Sequence, residues 1–372
     1  MRSFVFNCLA CFVVGLFLFS SCSKPVQPLY QVNLDAKDAG GFLMFNAHFI
    51  PSENEFHIYG LNLNRNNFIK IDGSNDLTVV SSLESLYSLT GFNPTVWGTS
   101  FQDSVFYTVT SVDSLILKLD LRDLNLVPVF VPLDSNFGVC NWFTETNIVK
   151  VGNKLLLPIN FNSSEYATNP SELKAKFAAP QAAVYDLTDS LIIGFLGKFP
   201  RELQTRFYID ETHYQTRYNN GFVMSDFLID TIRVYNDSFH LVNRIPAKSK
   251  YSVTRQVVTD SIYYDDDLYY SYLMERFSYA YMRYDSSSDV LIRVCLLTDN
   301  YVENGLIKPS AQKNFSIQFI KEGKLIAEHS FLDGKYRSDS VYLVDGKLIL
   351  FHFNNESFTD LIYDVFDIDD FL

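Results

Sequence analysis

The stretch 275–285, ERFSYAYMRYD, sets two arginines among aromatic rings in a chain that carries 43 acidic against 30 basic residues, a net charge of −13. A guanidinium is a planar fork matched to carboxylates, and aromatic faces stack on sugars or on guanidinium itself. Arg276, Tyr281 and Arg283 are therefore candidate ligand-binding residues, and Trp97, in NPTVWGTS, is a fourth. The bland alternative is that these arginines neutralise nearby acids while the rings pack. No other constellation offers chemistry. Six histidines, His48, His57, His213, His240, His329 and His352, are scattered without a metal-binding spacing. The acidic run in YYDDDLYYSY, 263–272, has neither the alternation nor the glycine of a calcium loop, and reads as a solvated loop between aromatic strands. Nucleophile-elbow, phosphate-loop and dinucleotide signatures are absent from the sequence, so neither a metal nor a cofactor is expected and no catalytic residue is assigned. The acidic balance argues against nucleic acid as a partner, because that affinity rests on Lys and Arg.

The elements that must position these residues are strands. The chain has 33 Phe and 23 Tyr but 2 Trp, and aromatic residues suit a pleated, half-buried surface. Paired apolar runs recur: FHIYGL with NFIKI, SVFYTV with LILKLDL, KLLLPI with AAVYD, GFVMSDF with TIRVY, YAYMRY with VLIRVCL, and KLILFHF with LIYDVF. Third partners follow some of them, among them LVPVFV, LIIGFL and LIAEHSF. Units of this kind every 40 to 60 residues predict an all-β, six-bladed β-propeller. Seven blades is the alternative, because 260–332 is long enough for one more. The segment YQVNL, 30–34, has no local partner, and pairing it with the C-terminal unit would close the ring and hide two edges. A short helix is expected over 170–179.

The tripeptides DSV, DSL, DSL, DTI, DSI and DSV place Ser104, Ser114, Ser190, Thr231, Ser261 and Ser340 after an aspartate and before an aliphatic residue. Asp and Ser stabilise turns, so the repeat reads as a hairpin corner. It also resembles the O-glycosylation acceptor of exported Bacteroidota proteins.

At the N-terminus, Arg2 precedes an apolar run too short to span a bilayer and interrupted by Asn7, as in an export signal rather than an anchor. The sequence LFSSC, 18–22, resembles the lipobox of bacterial lipoproteins. That resemblance implies a signal peptide over 1–21, a lipidated Cys22 and a tether over 22–29, and the strand units beyond it are expected to form a single propeller domain over 30–372. No acidic stretch follows Cys22, and the anchor is expected to face the periplasm rather than the cell surface. Cys140 and Cys295 could pair or remain two solitary buried thiols.

With the lipobox and the β-rich body, the stretch YAYMRYDSSSDVLIRVCLL, 279–297, resembles the exported TolB-like propellers of Bacteroidota catalogued as domain of unknown function 4221. Tyr284, Asp285 and Arg293 occupy that group's tyrosine, turn aspartate and strand arginine, while the serines at 286–288 depart from its pattern. The resemblance implies a fold and a location, not an activity. The sequence reading is an envelope lipoprotein that binds a partner protein, a small molecule or a glycan. The alternative is a propeller hydrolase or lyase acting on envelope glycan or peptide.

Overall fold

Strands buried on both faces must be apolar at every position, whereas half-exposed strands alternate. Both patterns occur among the described strands, the first in Gly221–Asp226 and the second in Leu191–Lys198. The computed structural model describes residues 26–35, 48–51, 56–62, 67–71, 77–82, 96–110, 115–133, 137–139, 148–161, 178–200, 213–253, 265–303, 305–353 and 360–372. They form an all-β propeller of six antiparallel blades.

Blade 1 runs His48–Pro51, Phe56–Asn62, Asn67–Ile71 and Leu77–Ser82, and blade 2 runs Val96–Gln102, Val105–Thr110, Leu115–Asp120 and Asn125–Phe130. In blade 3 the first strand is split into Phe137–Val139 and Val149–Val151, which both pair with Lys154–Phe161; Pro180–Asp186 and Leu191–Lys198 follow. Blade 4 is His213–Tyr218, Gly221–Asp226, Thr231–Tyr235 and Leu241–Pro246. Blade 5 is Ser278–Asp285, Val290–Leu296, Phe315–Lys321 and Lys324–Phe331. Tyr336–Val344, Lys347–His352 and Asp360–Asp367 make blade 6, and its fourth strand is the N-terminal Tyr30–Asp35, antiparallel to Asp360–Asp367 with Tyr30 opposite Val365. The expected closure of the ring is therefore present. The second and third strands of the blades coincide with most of the apolar runs read from the sequence.

The first strands of neighbouring blades meet around the axis. Second strands such as Gly221–Asp226 are buried throughout, while the outer Leu191–Lys198 alternates between exposed and half-buried positions. Side-chain to backbone bonds stitch one blade to the next. Gln102 both donates to the carbonyl and accepts from the amide of Lys150, Ser100 Oγ accepts from Ile148 N, and Gln215 Nε2 donates to Leu156 O. These bonds use backbone groups on strand edges that would otherwise be buried unpaired.

Several expectations change. The segment 260–332 holds blade 5, a small hairpin of Val302–Glu303 with Leu306–Ile307, and a helix; no seventh blade arises among the described residues. The helix, α1, spans Asp266–Glu275, where a loop was expected. Asp265 caps it by accepting from Leu268 N at 3.0 Å, which is what an aspartate before a helical run does. Its C-terminus is closed from outside by the buried Lys313, whose Nζ donates to the carbonyls of Leu273 and Arg276. The expected helix at 170–179 falls almost entirely outside the described residues. The folded body begins before residue 30, because Val26 already packs against the core and Leu29 N donates to Val365 O at 2.7 Å. Cys295 is a free, fully buried thiol that burial pushes up to about 12, and Cys140 lies outside the described residues.

The aspartate repeat does not mark one reused corner. Asp103–Ser104 joins the first and second strands of blade 2 with both residues at positive φ, the geometry of a two-residue hairpin turn. Ser190 lies between the third and fourth strands of blade 3, and Thr231 begins the third strand of blade 4. Ser340 sits inside the strand Tyr336–Val344, fully buried, and donates to Asp339. In the folded chain it offers no exposed hydroxyl to a glycan. Ser114 and Ser261 lie outside the described residues.

Candidate functional site

The inner strands converge at one end of the channel, where turns that lead into the second strands, such as Asp103 of blade 2 and Asn219–Asn220 of blade 4, stand at its mouth. The result is a cavity of about 700 Å³ lined from all six blades: His48 from blade 1, Gln102 from blade 2, Ile148 from blade 3, Thr216 from blade 4, Arg283 from blade 5 and Leu343 from blade 6. This volume falls within the range of small-ligand sites. Ser100, Asn219, Asn220 and Ser286 add amides and hydroxyls, and Phe101 and Tyr284 add ring surface.

The charge of the mouth opposes that of the chain. Asp103 is the acidic residue among the described lining residues, and two cations hold it: Lys150 Nζ at 3.3 Å and Arg217 Nη1 at 3.6 Å, the latter reaching from blade 4. Arg283 is a third cation with no carboxylate of its own among the described residues. Its guanidinium lies over the rings of Tyr281 and Tyr342, 5.5 and 5.1 Å from their centroids, and its buried Nε meets no hydrogen-bond acceptor. Ring faces attract the cation electrostatically but supply no carboxylate to balance it.

Of the residues singled out from the sequence, Arg283 reaches the mouth. Arg276 does not. It precedes the same inner strand, seven residues back, which at about 3.3 Å per residue puts it roughly 20 Å away at the other end. There it is buried, with its guanidinium over the rings of Phe227 and of Tyr272 in α1. Tyr281 is buried too: its hydroxyl donates to Ser338 O at 3.1 Å and accepts from Val341 N at 2.9 Å, joining blades 5 and 6 while its ring supports Arg283. Trp97 belongs to the inner strand of blade 2, and its side chain lies outside the described residues. Thr216, Arg217, Asn219 and Asn220 escaped the sequence reading. Their signal is HYQTRYNN, 213–220, a polar run of strand length directly before the apolar GFVMSDF.

The residues that carry the family resemblance are joints between blades. Burial would push the Asp285 carboxyl up, but the Ser288 and Ser287 hydroxyls and the Gly346 and Ser287 amides outweigh it and hold it below the ordinary range. Two of its donors, Asp345 N and Gly346 N at 3.1 and 2.8 Å, come from the turn of blade 6. The Tyr284 hydroxyl lies 2.7 Å from Asn219 Oδ1 and 2.9 Å from Asp289 Oδ1, and burial with the neighbouring Asp289 raises its pKa and keeps it a donor. Arg293 is wholly buried, 3.4 Å over the Tyr279 ring, and reaches backbone carbonyls of blade 4.

A second hollow of about 630 Å³ lies between blades 3 and 4, lined by Phe195, Leu196, Tyr235, Phe239 and Leu241 with Arg233 and Arg244. It is an open groove between outer strands. The mouth is the better site on physical grounds, because it gathers every inner strand and an unmatched cation.

No protein-family model and no curated protein matches the chain. Solved structures do. A member of the family of domain of unknown function 4221 from Bacteroides vulgatus is similar with a TM-score of 0.67 at 14% identity, over 92% of this chain and 97% of that one. A protein of Bacteroides fragilis described as exported has a TM-score of 0.50 at 11% identity, covering 93% and 96%. A virginiamycin B lyase from Staphylococcus aureus is more distant, with a TM-score of 0.41 at 10% identity over 91% and 98%, too loose a likeness to bear on activity. The resemblance to the exported propellers of Bacteroidota is thus met at the level of the fold.

Proposed function

We propose that this chain is a cell-envelope lipoprotein that works as a binding module, holding a small ligand or a segment of a partner protein at the channel mouth. The observation that carries the reading is the convergence of six inner strands on one polar cavity of about 700 Å³, basic within an acidic chain. The inner strands pay out polar residues where the middle strands are apolar, which packing alone does not require. A photoreactive residue at Asn220 should form an adduct in intact cells, whereas one at Asp123, on the exposed turn after the third strand of blade 2, should not. Equal adducts at both positions, or none at 220, would count against the mouth.

Cys22 and the residues before Val26 lie outside the described part, and the anchor rests on the lipobox-like sequence. Among the described residues no helix is long and apolar enough to cross a membrane. With Val26 already on the propeller, only a few residues separate Cys22 from the folded body, so the binding face works close to the bilayer. Cys22→Ser is expected to leave the precursor uncut or release the chain to the soluble fraction. A membrane-bound, fully processed variant would contradict lipid attachment. O-glycans, in this reading, attach at Ser104, Thr231 or Ser190, the last of them on an exposed turn.

A further inference from the structure

We infer that the mouth selects a small polyhydroxylated acid, of the class a sugar acid represents, and that Arg283 receives its carboxylate. The inference rests on the binding reading above and names its ligand class.

Three features point to it. First, the guanidinium of Arg283 lies over the rings of Tyr281 and Tyr342, which accept no N–H bond of ordinary strength, while its buried Nε has no acceptor among the described residues. A buried donor left unpaired is costly, and a ligand carboxylate lying in the guanidinium plane would satisfy it with two parallel bonds. Second, the charge is unbalanced. Arg217 and Arg283 line the mouth against the single carboxylate of Asp103, which Lys150 beside the cavity also pairs. The other acids nearby are engaged elsewhere: Asp285 accepts from the turns around it and Asp289 faces the Tyr284 hydroxyl. An incoming anion therefore meets attraction in a chain whose net charge would repel it. Third, Ser100, Thr216, Asn219 and Asn220 offer both donors and acceptors around the cation. Such a lining suits several hydroxyls on one ligand and is poorly used by a bare inorganic anion.

The test is calorimetric titration at low salt of the full chain with glucuronate and galacturonate, each beside its uncharged carboxamide, and with inorganic phosphate as a separate arm. At least one sugar acid should bind, at least tenfold more tightly than its amide and than phosphate. Arg283→Gln should weaken it at least tenfold and Arg283→Lys by less, since lysine keeps the charge but not the fork. Arg122→Gln, an exposed turn arginine paired with Asp120, should change nothing. Unfolding midpoints of all variants are read alongside; should Arg283→Gln fail to fold, Arg217→Gln is expected to weaken binding in its place. Amides binding as well as acids would overturn the inference while leaving the mouth as a ligand site. Phosphate binding more tightly than either sugar acid, or no binding by either, would overturn it as well. Binding that survives both arginine variants while a Thr216→Trp plug abolishes it would reject the role of the arginines alone, and binding that survives the plug would reject the mouth itself.

Discussion

Arg293→Met is expected to destabilise the propeller by about 3–5 kcal/mol, the largest effect of any single substitution considered for this chain. Arg293 lies on the second strand of blade 5 with no exposed surface. Its Nη2 donates to Ile229 O at 2.6 Å and to Asp226 O at 3.2 Å, and Nη1 reaches Ala247 O at 3.5 Å. The end of the second strand of blade 4, the turn after it and the segment leaving that blade all converge on this one guanidinium. Methionine keeps much of the volume, so the loss is chiefly that of the donor to Ile229 O, a buried carbonyl worth about 1–3 kcal/mol when left unpaired, since Asp226 O keeps the Ile229 amide and Ala247 O keeps Gln318 Nε2. The stacking of the cation on Tyr279, at 3.4 Å, is lost as well. Arg293→Lys should recover less than half of the loss, because an ammonium cannot face the Tyr279 ring and two divergent carbonyls together. Denaturant unfolding checks this. A loss below about 1 kcal/mol for Arg293→Met would mean that the guanidinium is not what holds blades 4 and 5 together.

The second large effect depends on pH. His213 is buried at the start of the inner strand of blade 4, opposite Asp226 in register, and its Nε2 has no acceptor among the described residues. Burial, with the charge of Arg233 beside it, depresses its pKa from 6.5 to about 3. The folded state keeps the ring neutral across that window, while the unfolded chain takes up a proton below about pH 6.5. Stability from this residue is therefore complete above pH 6.5 and falls as pH drops towards 3, by up to about 1.4 kcal/mol per unit. Asp226 acts in the opposite sense. Burial pushes its carboxyl up, against the attraction of Arg233 and the bond from Gln181, so protonation on the acid side relieves part of its cost. The difference between wild type and His213→Gln isolates the histidine. The variant should lose less stability between pH 6.5 and 4, and parallel curves would show that the ring protonates in place.

The blades were legible in the sequence because their middle strands face neighbours on both sides. VLIRVCL and GFVMSDF are buried at nearly every position, so they stand out as continuous apolar runs. Most inner strands did not stand out. HYQTRY and YRSDSVYLV are polar because they edge the channel, and part of that polarity is met from a neighbouring blade, as where Gln215 Nε2 donates to Leu156 O and Ser338 Oγ to Ala311 O, which a linear reading cannot see. The same blindness governs the site. ERFSYAYMRYD drew attention to two arginines, but the strand between them carries one to the mouth and leaves the other stacked beneath α1. Arg217 and Asn220 join Arg283 only through the curvature of the ring. YYDDDLYYSY misled for a local reason: its aromatics favour strands, yet Asp265 supplies a helix cap and Lys313, far along the chain, supplies the other end.

The resemblance residues also take on a physical meaning. Asp285 and Arg293 bind blade 5 to its two neighbours, one at the mouth and the other through the core, so they serve the geometry on which the site depends. That is why such a motif marks a fold without naming an activity.

The most direct test of the account is a crystal structure of the full chain grown with a sugar acid at a concentration that saturates binding in solution. The carboxylate is expected in the plane of the Arg283 guanidinium, with ligand hydroxyls on Thr216, Asn219 or Asn220. An empty mouth, or a ligand seated in the groove between blades 3 and 4, would contradict it.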